Sequence, residues 1–320
     1  MHDVNLQEWK TKIERDGYLI IKNYLSKPDI CCAKNDIDRY IELDLNERNN
    51  DGSMFGRYEG SAGVTHNNQG RHIITDFFGR SEILENEVAN FFSDVNVKGL
   101  LEHIGGKHLK LRGFNSRKLS GIKDYSAMEW HRDNYGEITV AIIMDSSNIS
   151  NDGATCVIPG SHIYPCCPFK DLNFEQPFPI PKMPIWQRFF SSILERRVAK
   201  SAVDIVGEVG DVYIFLGDLW HGRRVNLVNN NGMVFFIGLF PSEIPFPQHS
   251  KVNIPESSVL DRLPLELRKL VDYINTPPND TKNSYFYKMK ESTRRMKFFS
   301  LINIAYLEKK FWNLLLGGLR

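Results

Sequence analysis

Long apolar runs are missing from this chain. No stretch is long enough to span a bilayer, and the N-terminus lacks the basic-then-apolar pattern of a secretory signal. A surplus of charge is missing too. The 40 Lys and Arg stand against 39 Asp and Glu, a formal net charge of +1, so no overall field draws the chain to nucleic acid or to an acidic partner. Cysteine is scarce. Cys31, Cys32, Cys156, Cys166 and Cys167 make five, an odd number with two adjacent pairs, which is a poor disulfide framework. No Cys-x-x-Cys occurs, which argues against a zinc ribbon or a thioredoxin-like site. Reduced thiols in a cytoplasmic protein are expected. The chain also shows no internal repeat and no low-complexity tract.

The chain has the composition of a soluble globular protein with a sizeable core, 42% hydrophobic and 25% charged over 320 residues. Leu6, Trp9 and Ile13 give residues 4–16 a helical spacing, and Gly17 follows as a stop. Tyr18-Leu19-Ile20-Ile21 is a short strand. A second helix is predicted from Ser26 through Leu43, with Ser26 or Asp29 as cap and Pro28 in the first turn. Residues 46–63 are polar and Gly-rich and are expected to be loop. Ile83, Leu84, Val88, Phe91 and Phe92 predict one helix over 81–101.

From Leu109 the texture becomes β. Strands are predicted at Leu109–Phe114, Ile138–Met144, Ala154–Ile158, Val212–Leu216 and Val234–Phe240, with Asn229-Asn230-Asn231-Gly232 as a turn. The Ile138 run is apolar at every position, as a strand covered on both faces should be. Short strands in this arrangement predict a mainly β chain with flanking helices, a sandwich or jelly roll. Residues 165–205 interrupt the pattern and are too long for a bare connection, so they are expected to form a lid or substrate-binding insertion. Residues 1–250 would then form one domain, and 251–320 a helical extension packed on it. Its last part, 285–320, is basic and aromatic. Two readings stand for it: a helix with a solvated basic face, or a peripheral contact with an anionic membrane surface.

Chemistry-bearing residues gather in two stretches, Trp130-His131-Arg132-Asp133 and Leu219-Trp220-His221-Gly222. His131 and Asp133 lie two apart, so at a strand end both side chains share a face. With His221 from a neighbouring strand they supply two imidazoles and a carboxylate. That is the donor set of a mononuclear non-haem iron(II) centre with open positions. A zinc hydrolase uses a similar set, but no His-Glu-x-x-His occurs and Glu129 is the only obvious extra base just before His131. A non-catalytic or 2-oxoglutarate-independent metal-binding jelly roll is the third reading.

Four places in order resemble the phytanoyl-CoA dioxygenase family of iron(II)- and 2-oxoglutarate-dependent oxygenases. They are Asp16-Gly17-Tyr18 with the strand after it, Trp130-His131-Arg132-Asp133, Asp152-Gly153 with Pro159-Gly160-Ser161-His162, and Gly210-Asp211 with His221-Gly222 and Asn226. The likeness spans roughly residues 10–240. It implies a cupin-like double-stranded β-helix holding Fe(II) through His131, Asp133 and His221, with 2-oxoglutarate and O2 as cosubstrates. It implies hydroxylation of an unactivated C–H in a small-molecule, lipid-linked or glycan-type substrate. Halogenases of this architecture replace the carboxylate by a small residue, so an intact Asp133 favours hydroxylation. His162 is not a ligand in the resembled family and is read as structural.

In one place the chain departs from the family. The arginine that holds the far carboxylate of 2-oxoglutarate usually lies about ten residues past the distal histidine, and Asn229-Asn230-Asn231-Gly232-Met233 holds no basic residue. Lys118 is the preferred substitute, since it resembles the family's strand-ending lysine. Arg117 comes second, and Arg223, Arg224 and Asn226 just beyond His221 are the other cosubstrate-binding candidates.

Overall fold

The structure is a computed structural model that describes residues 6–51, 63–66, 71–119, 128–131, 133, 136–145, 153–163, 202–223, 232–242 and 255–272. Among the described residues, eleven strands form two antiparallel sheets. In chain order they are β1 (Tyr18–Ile21), β2 (Gly63–His66), β3 (Arg71–Thr75), β4 (Leu109–Leu119), β5 (Met128–His131), β6 (Ile138–Ile143), β7 (Thr155–Val157), β8 (Val203–Asp204), β9 (Val212–Leu216), β10 (His221–Arg223) and β11 (Gly232–Pro241). The large sheet runs β1-β9-β6-β11-β4-β3-β2 and the small one β5-β10-β7-β8. Two facing antiparallel sheets with crossed connections are the double-stranded β-helix that the sequence predicts.

Helices cover the outer face of the large sheet: α1 (Leu6–Asp16), α2 (Lys27–Asp51), α3 (Glu82–Ser93), α4 (Val95–Gly105), α5 (Ser257–Leu260) and α6 (Leu265–Asp272). The main core lies between them and the sheet. Ile30, Ile37, Phe91, Leu100 and Leu267 from the helices meet Phe114, Val140, Ile214, Phe235 and Ile237 from the strands. A smaller apolar cluster, with Ala141, Ile143, Val157, Tyr213, Phe215 and Leu219, lies between the two sheets. Every residue of β6 and β9 is buried, which is why both strands read as unbroken apolar runs.

Burial along β11 behaves differently. It alternates from Gly232 to Leu239: Met233, Phe235, Ile237 and Leu239 are sealed against the helices, while Gly232, Val234, Phe236 and Gly238 stay partly open. On β4, Arg112, Asn115 and Arg117 are likewise reached by solvent, whereas Leu111, Phe114 and Ser116 are buried. Successive strand residues face opposite ways, and Val234 and Phe236 pack on the inter-sheet cluster. The inner side of β4 and β11 is therefore an open cleft.

Several expectations are corrected here. The polar stretch read as loop from residue 46 continues α2 to Asp51, because backbone hydrogen bonding carries a helix past the end of its apolar spacing. From the last residue of that stretch onward two strands were not predicted: β2 and β3 pair with each other and β3 with β4, and their short sequences hid them. The single helix over 81–101 is two. Asp94 breaks it with an extended backbone, and its carboxylate accepts from the backbone N–H groups of Asn96 and Val97 at 2.8 and 3.1 Å, capping α4. Ser26 is the residue at the start of α2, its Oγ accepting from Asp29 N–H at 3.4 Å. The last residues of the 165–205 segment belong to the barrel, since β8 pairs with β7.

The 229–232 turn lies in part outside the described residues, as do 164–201 and 273–320. Within 255–272, α6 buries Leu267, Leu270 and Val271 beside α3 and β4. Cys31 and Cys32 are free thiols. No helix among the described residues is long and apolar enough to cross a membrane.

Candidate metal centre

The small sheet brings the two imidazoles together by strand pairing. His131 ends β5 and His221 opens β10, and the two are direct antiparallel partners. Their ring centroids lie 4.2 Å apart. Asp133 arrives just past the end of β5, where its N–H donates to Gly217 O at 2.8 Å in the turn between β9 and β10. That bond aims the carboxylate back at the histidines. Asp133 Oδ2 is 3.4 Å from His221 Nε2, and Oδ1 is 3.9 Å from His131 Nε2. Each of the three residues offers one donor atom, all within 4.8 Å of one another.

His221 is prepared as a neutral ligand. Its Nδ1–H donates to Leu219 O at 2.9 Å, which leaves the Nε2 lone pair facing Asp133. Burial pushes its pKa down to about 4; Asp133 opposes this shift, while His131 and Arg117 add to it. An imidazole that stays unprotonated at neutral pH is the form a metal needs. The donor set, the fixed tautomer and the partly exposed Asp133 fit a divalent first-row ion with free positions toward the cleft.

The other motif residues are ties around this centre. Gly17, at φ +79°, is packed so closely that a Cβ would come within 2.5 Å of His162 Nδ1 and 2.7 Å of Leu219 Cδ1. His162 Nε2 is 3.0 Å from Glu14 O. Ser161 Oγ accepts from Trp220 N–H at 2.9 Å, next to His221. The Pro-Gly-Ser-His turn thus joins the end of α1 to the strand that carries the distal histidine. Asp211 is buried and takes hydrogen bonds from Asn23 N–H, Lys22 Nζ and Glu208 N–H at 2.7 to 2.8 Å. It stitches β1 to the start of β9.

The cosubstrate candidates separate. Lys118 pairs with Asp38 of α2 and faces the helix layer, away from the triad. This reverses the sequence preference for Lys118 over Arg117, because neighbouring strand residues point oppositely. Arg117 faces the cleft, its guanidinium 5.0 Å above the Phe236 ring. Arg223 is the cross-strand partner of Thr155, whose hydroxyl meets Tyr213 OH at 3.0 Å between the sheets, so Arg223 shares that inward face. Arg224 and Asn226 lie outside the described residues. Thr155 and Tyr213 were missed by sequence reasoning; both sit in apolar strand runs, and only the facing of the sheets shows that their hydroxyls meet.

A model of the phytanoyl-CoA dioxygenase family matches residues 13–227, about two thirds of the chain. The chain belongs to the phytanoyl-CoA dioxygenase family. Solved structures share its fold at low identity. EctD from S. alaskensis, crystallised with 2-oxoglutarate and 5-hydroxyectoine, is 16% identical, with 84% of this chain and 88% of that one covered and a TM-score of 0.54. AviO1 from Streptomyces viridochromogenes Tue57 is 14% identical over 77% and 99%, with a TM-score of 0.50. HygX from Streptomyces hygroscopicus, with nickel and 2-oxoglutarate bound, is 12% identical over 75% and 89%, also with a TM-score of 0.50. No curated protein matches the chain significantly. This phytanoyl-CoA dioxygenase family member is a non-haem iron oxygenase that uses 2-oxoglutarate and O2.

Proposed function

We propose that His131, Asp133 and His221 hold the catalytic iron(II), and that the enzyme hydroxylates an unactivated C–H bond of a small molecule bound in the cleft between the sheets. The observation that carries this reading is the direct pairing of His131 with His221 across β5 and β10, with Asp133 in reach of both. Iron(II) with 2-oxoglutarate supplies the oxidising chemistry, in which O2 is consumed, 2-oxoglutarate becomes succinate and carbon dioxide, and a hydroxyl group is delivered to carbon.

The protein residues set the conditions for that chemistry. His221, held neutral by burial and by its bond to Leu219 O, offers Nε2. Asp133 adds the negative charge that balances a divalent ion, and the Gly217 carbonyl fixes its approach. Retention of this carboxylate favours hydroxylation over halide transfer, which needs the room a small residue leaves. Phe215, with its ring centroid 4.8 Å from that of His221, closes the site on the side of the large sheet. Substrate approach is left to the open faces of β4 and β11.

The substrate class rests on the cleft and on EctD, a protein of the same fold whose structure contains the small molecule 5-hydroxyectoine. Lipid-linked and glycan-type compounds fall within the same reading. Residues 1–250, including the 165–205 segment as a lid, are proposed as the oxygenase domain and 251–320 as its helical extension. The test is Asp133→Ala. Iron content and succinate release from 2-oxoglutarate are both expected to collapse. Retention of both would remove Asp133 from the site and the proposal with it.

A further inference from the structure

The geometry points to Arg117 as the residue that grips the far carboxylate of 2-oxoglutarate, so that the anchoring cation is supplied by β4 rather than by β11. The inference rests on the metal assignment above. It starts from a vacancy in the sequence: no basic residue stands in 229–233, where the family's arginine is expected. A dicarboxylate whose 2-oxo end is chelated still needs a cation for its other end, and a guanidinium suits it best because it is always charged and offers paired donors.

The strand register locates that cation. On the inner face of the large sheet, Phe215, Thr139 and Gly238 form one row, and Tyr213, Ala141 and Phe236 the next. The His221 ring packs on the first row through Phe215. Arg117 is the direct partner of Val234, one row further on, but its guanidinium leans back over Phe236 in the second row. It therefore sits about one row, roughly 6.7 Å, from the level of the triad. Beyond its chelated keto carbon, 2-oxoglutarate has three carbon–carbon bonds, about 3.8 Å when extended. A metal–oxygen bond adds about 2 Å. The charge-assisted hydrogen bond from the far carboxylate to a guanidinium adds about 2.8 Å more, so the extended cosubstrate spans at least the one row that separates the guanidinium from the triad.

Four further observations support the assignment. Arg117 is exposed, on the face of β4 that its partner Val234 shares. The Tyr213 and Thr155 hydroxyls meet in the second row and can supply a neutral donor beside the guanidinium. Lys118, the neighbouring cation, is committed to Asp38 on the other face. Val234, directly across the ladder from Arg117, is apolar, so β11 brings no competing charge at that row.

The experiment compares 2-oxoglutarate with 2-oxopentanoate, which has the same carbon chain and no far carboxylate. Each is titrated into the anaerobic iron(II) protein, and affinity is read from the visible absorption of the chelate and by calorimetry. Wild type should prefer 2-oxoglutarate by on the order of 100-fold, the scale of a desolvated charge-assisted pair. In Arg117→Leu the preference should fall to within a few-fold of unity, with iron affinity unchanged. Lys118→Met should keep the wild-type preference. A ratio within one variant is insensitive to partial loss of folded protein, which lowers both signals together. If Arg117→Leu retains the full preference, the assignment is overturned while the iron site stands. If wild type binds iron(II) or 2-oxoglutarate not at all, the underlying functional reading fails first.

Discussion

Strands β6 and β9 and strands β11 and β4 belong to one sheet, yet the two pairs are built differently. The first pair is buried on both faces, by helices outside and the small sheet inside. The second is sealed outside and open inside. The sealed pair holds the sheets together and carries no charged side chain. The open pair places Arg112, Asn115 and Arg117 on the cleft side, opposite the strand ends that carry the triad. Stability and binding are therefore divided within one sheet, and the division predicts which substitutions hurt which property.

The largest effect should come from breaking the sealed side. Phe235 and Phe236 are adjacent on β11 and face opposite ways. Phe235→Ala, at a fully buried position, should cost about 3–5 kcal/mol in a denaturation experiment. Phe236→Ala, at a half-open one, should cost well under half of that. It should instead weaken 2-oxoglutarate binding a few-fold by removing the ring beneath Arg117. Equal losses of stability at the two positions would erase the distinction between the faces.

Next in size is the ligand set. His221→Ala should lower iron(II) affinity by more than the roughly 100-fold, or about 2.7 kcal/mol, seen when a supporting contact is lost. Its effect on the melting temperature of the metal-free protein should be small. Affinity can be read by competition with a chelating dye.

Gly17→Ala tests the tie between the sealed frame and the metal strand. The added methyl would press on His162 and Leu219 at a left-handed backbone. A stability loss of about 1–3 kcal/mol is expected. Because Leu219 O holds His221 Nδ1–H, iron affinity should drop as well. A loss of stability with iron affinity intact would show that the tie does not reach the ligand.

The smallest effect concerns pH. Glu85 on α3 is buried, and burial raises its pKa to about 7, with the Gly79 N–H and Arg262 opposing. Its folded-state pKa lies above the unfolded one, so the neutral acid fits the fold. Its contribution is complete below about pH 4.5 and is lost as pH rises through 7. Melting curves between pH 5 and 8 should show a decline on the order of 1 kcal/mol, absent in Glu85→Gln. Iron binding per folded molecule should not share that step, since Glu85 lies on the helix side. An unchanged slope in the variant would contradict the assignment.

The sealed half of the molecule was the legible half in the sequence. The runs at 138–143 and 212–216 announce strands covered on both faces, and the order of His131, Asp133 and His221 among the motif residues announces the donor set. What sequence could not supply was orientation. Lys118 and Arg117 are neighbours with similar chemistry, and only the register with Met233 and Val234 tells which one faces the cleft. The split between α3 and α4 turns on the backbone of Asp94 within an otherwise helical pattern. β2 and β3 are short, and they are strands because β4 offers an edge to β3 and β3 in turn offers one to β2.

The central claim is that the pairing of β5 with β10 makes one iron site open to 2-oxoglutarate. The most direct measurement is the visible spectrum of the purified protein, anaerobically loaded with iron(II) and titrated with 2-oxoglutarate. One iron per chain and a saturable charge-transfer band, lost in Asp133→Ala, are predicted. Iron bound with no band at any 2-oxoglutarate concentration, or a band that survives in the variant, would contradict the account.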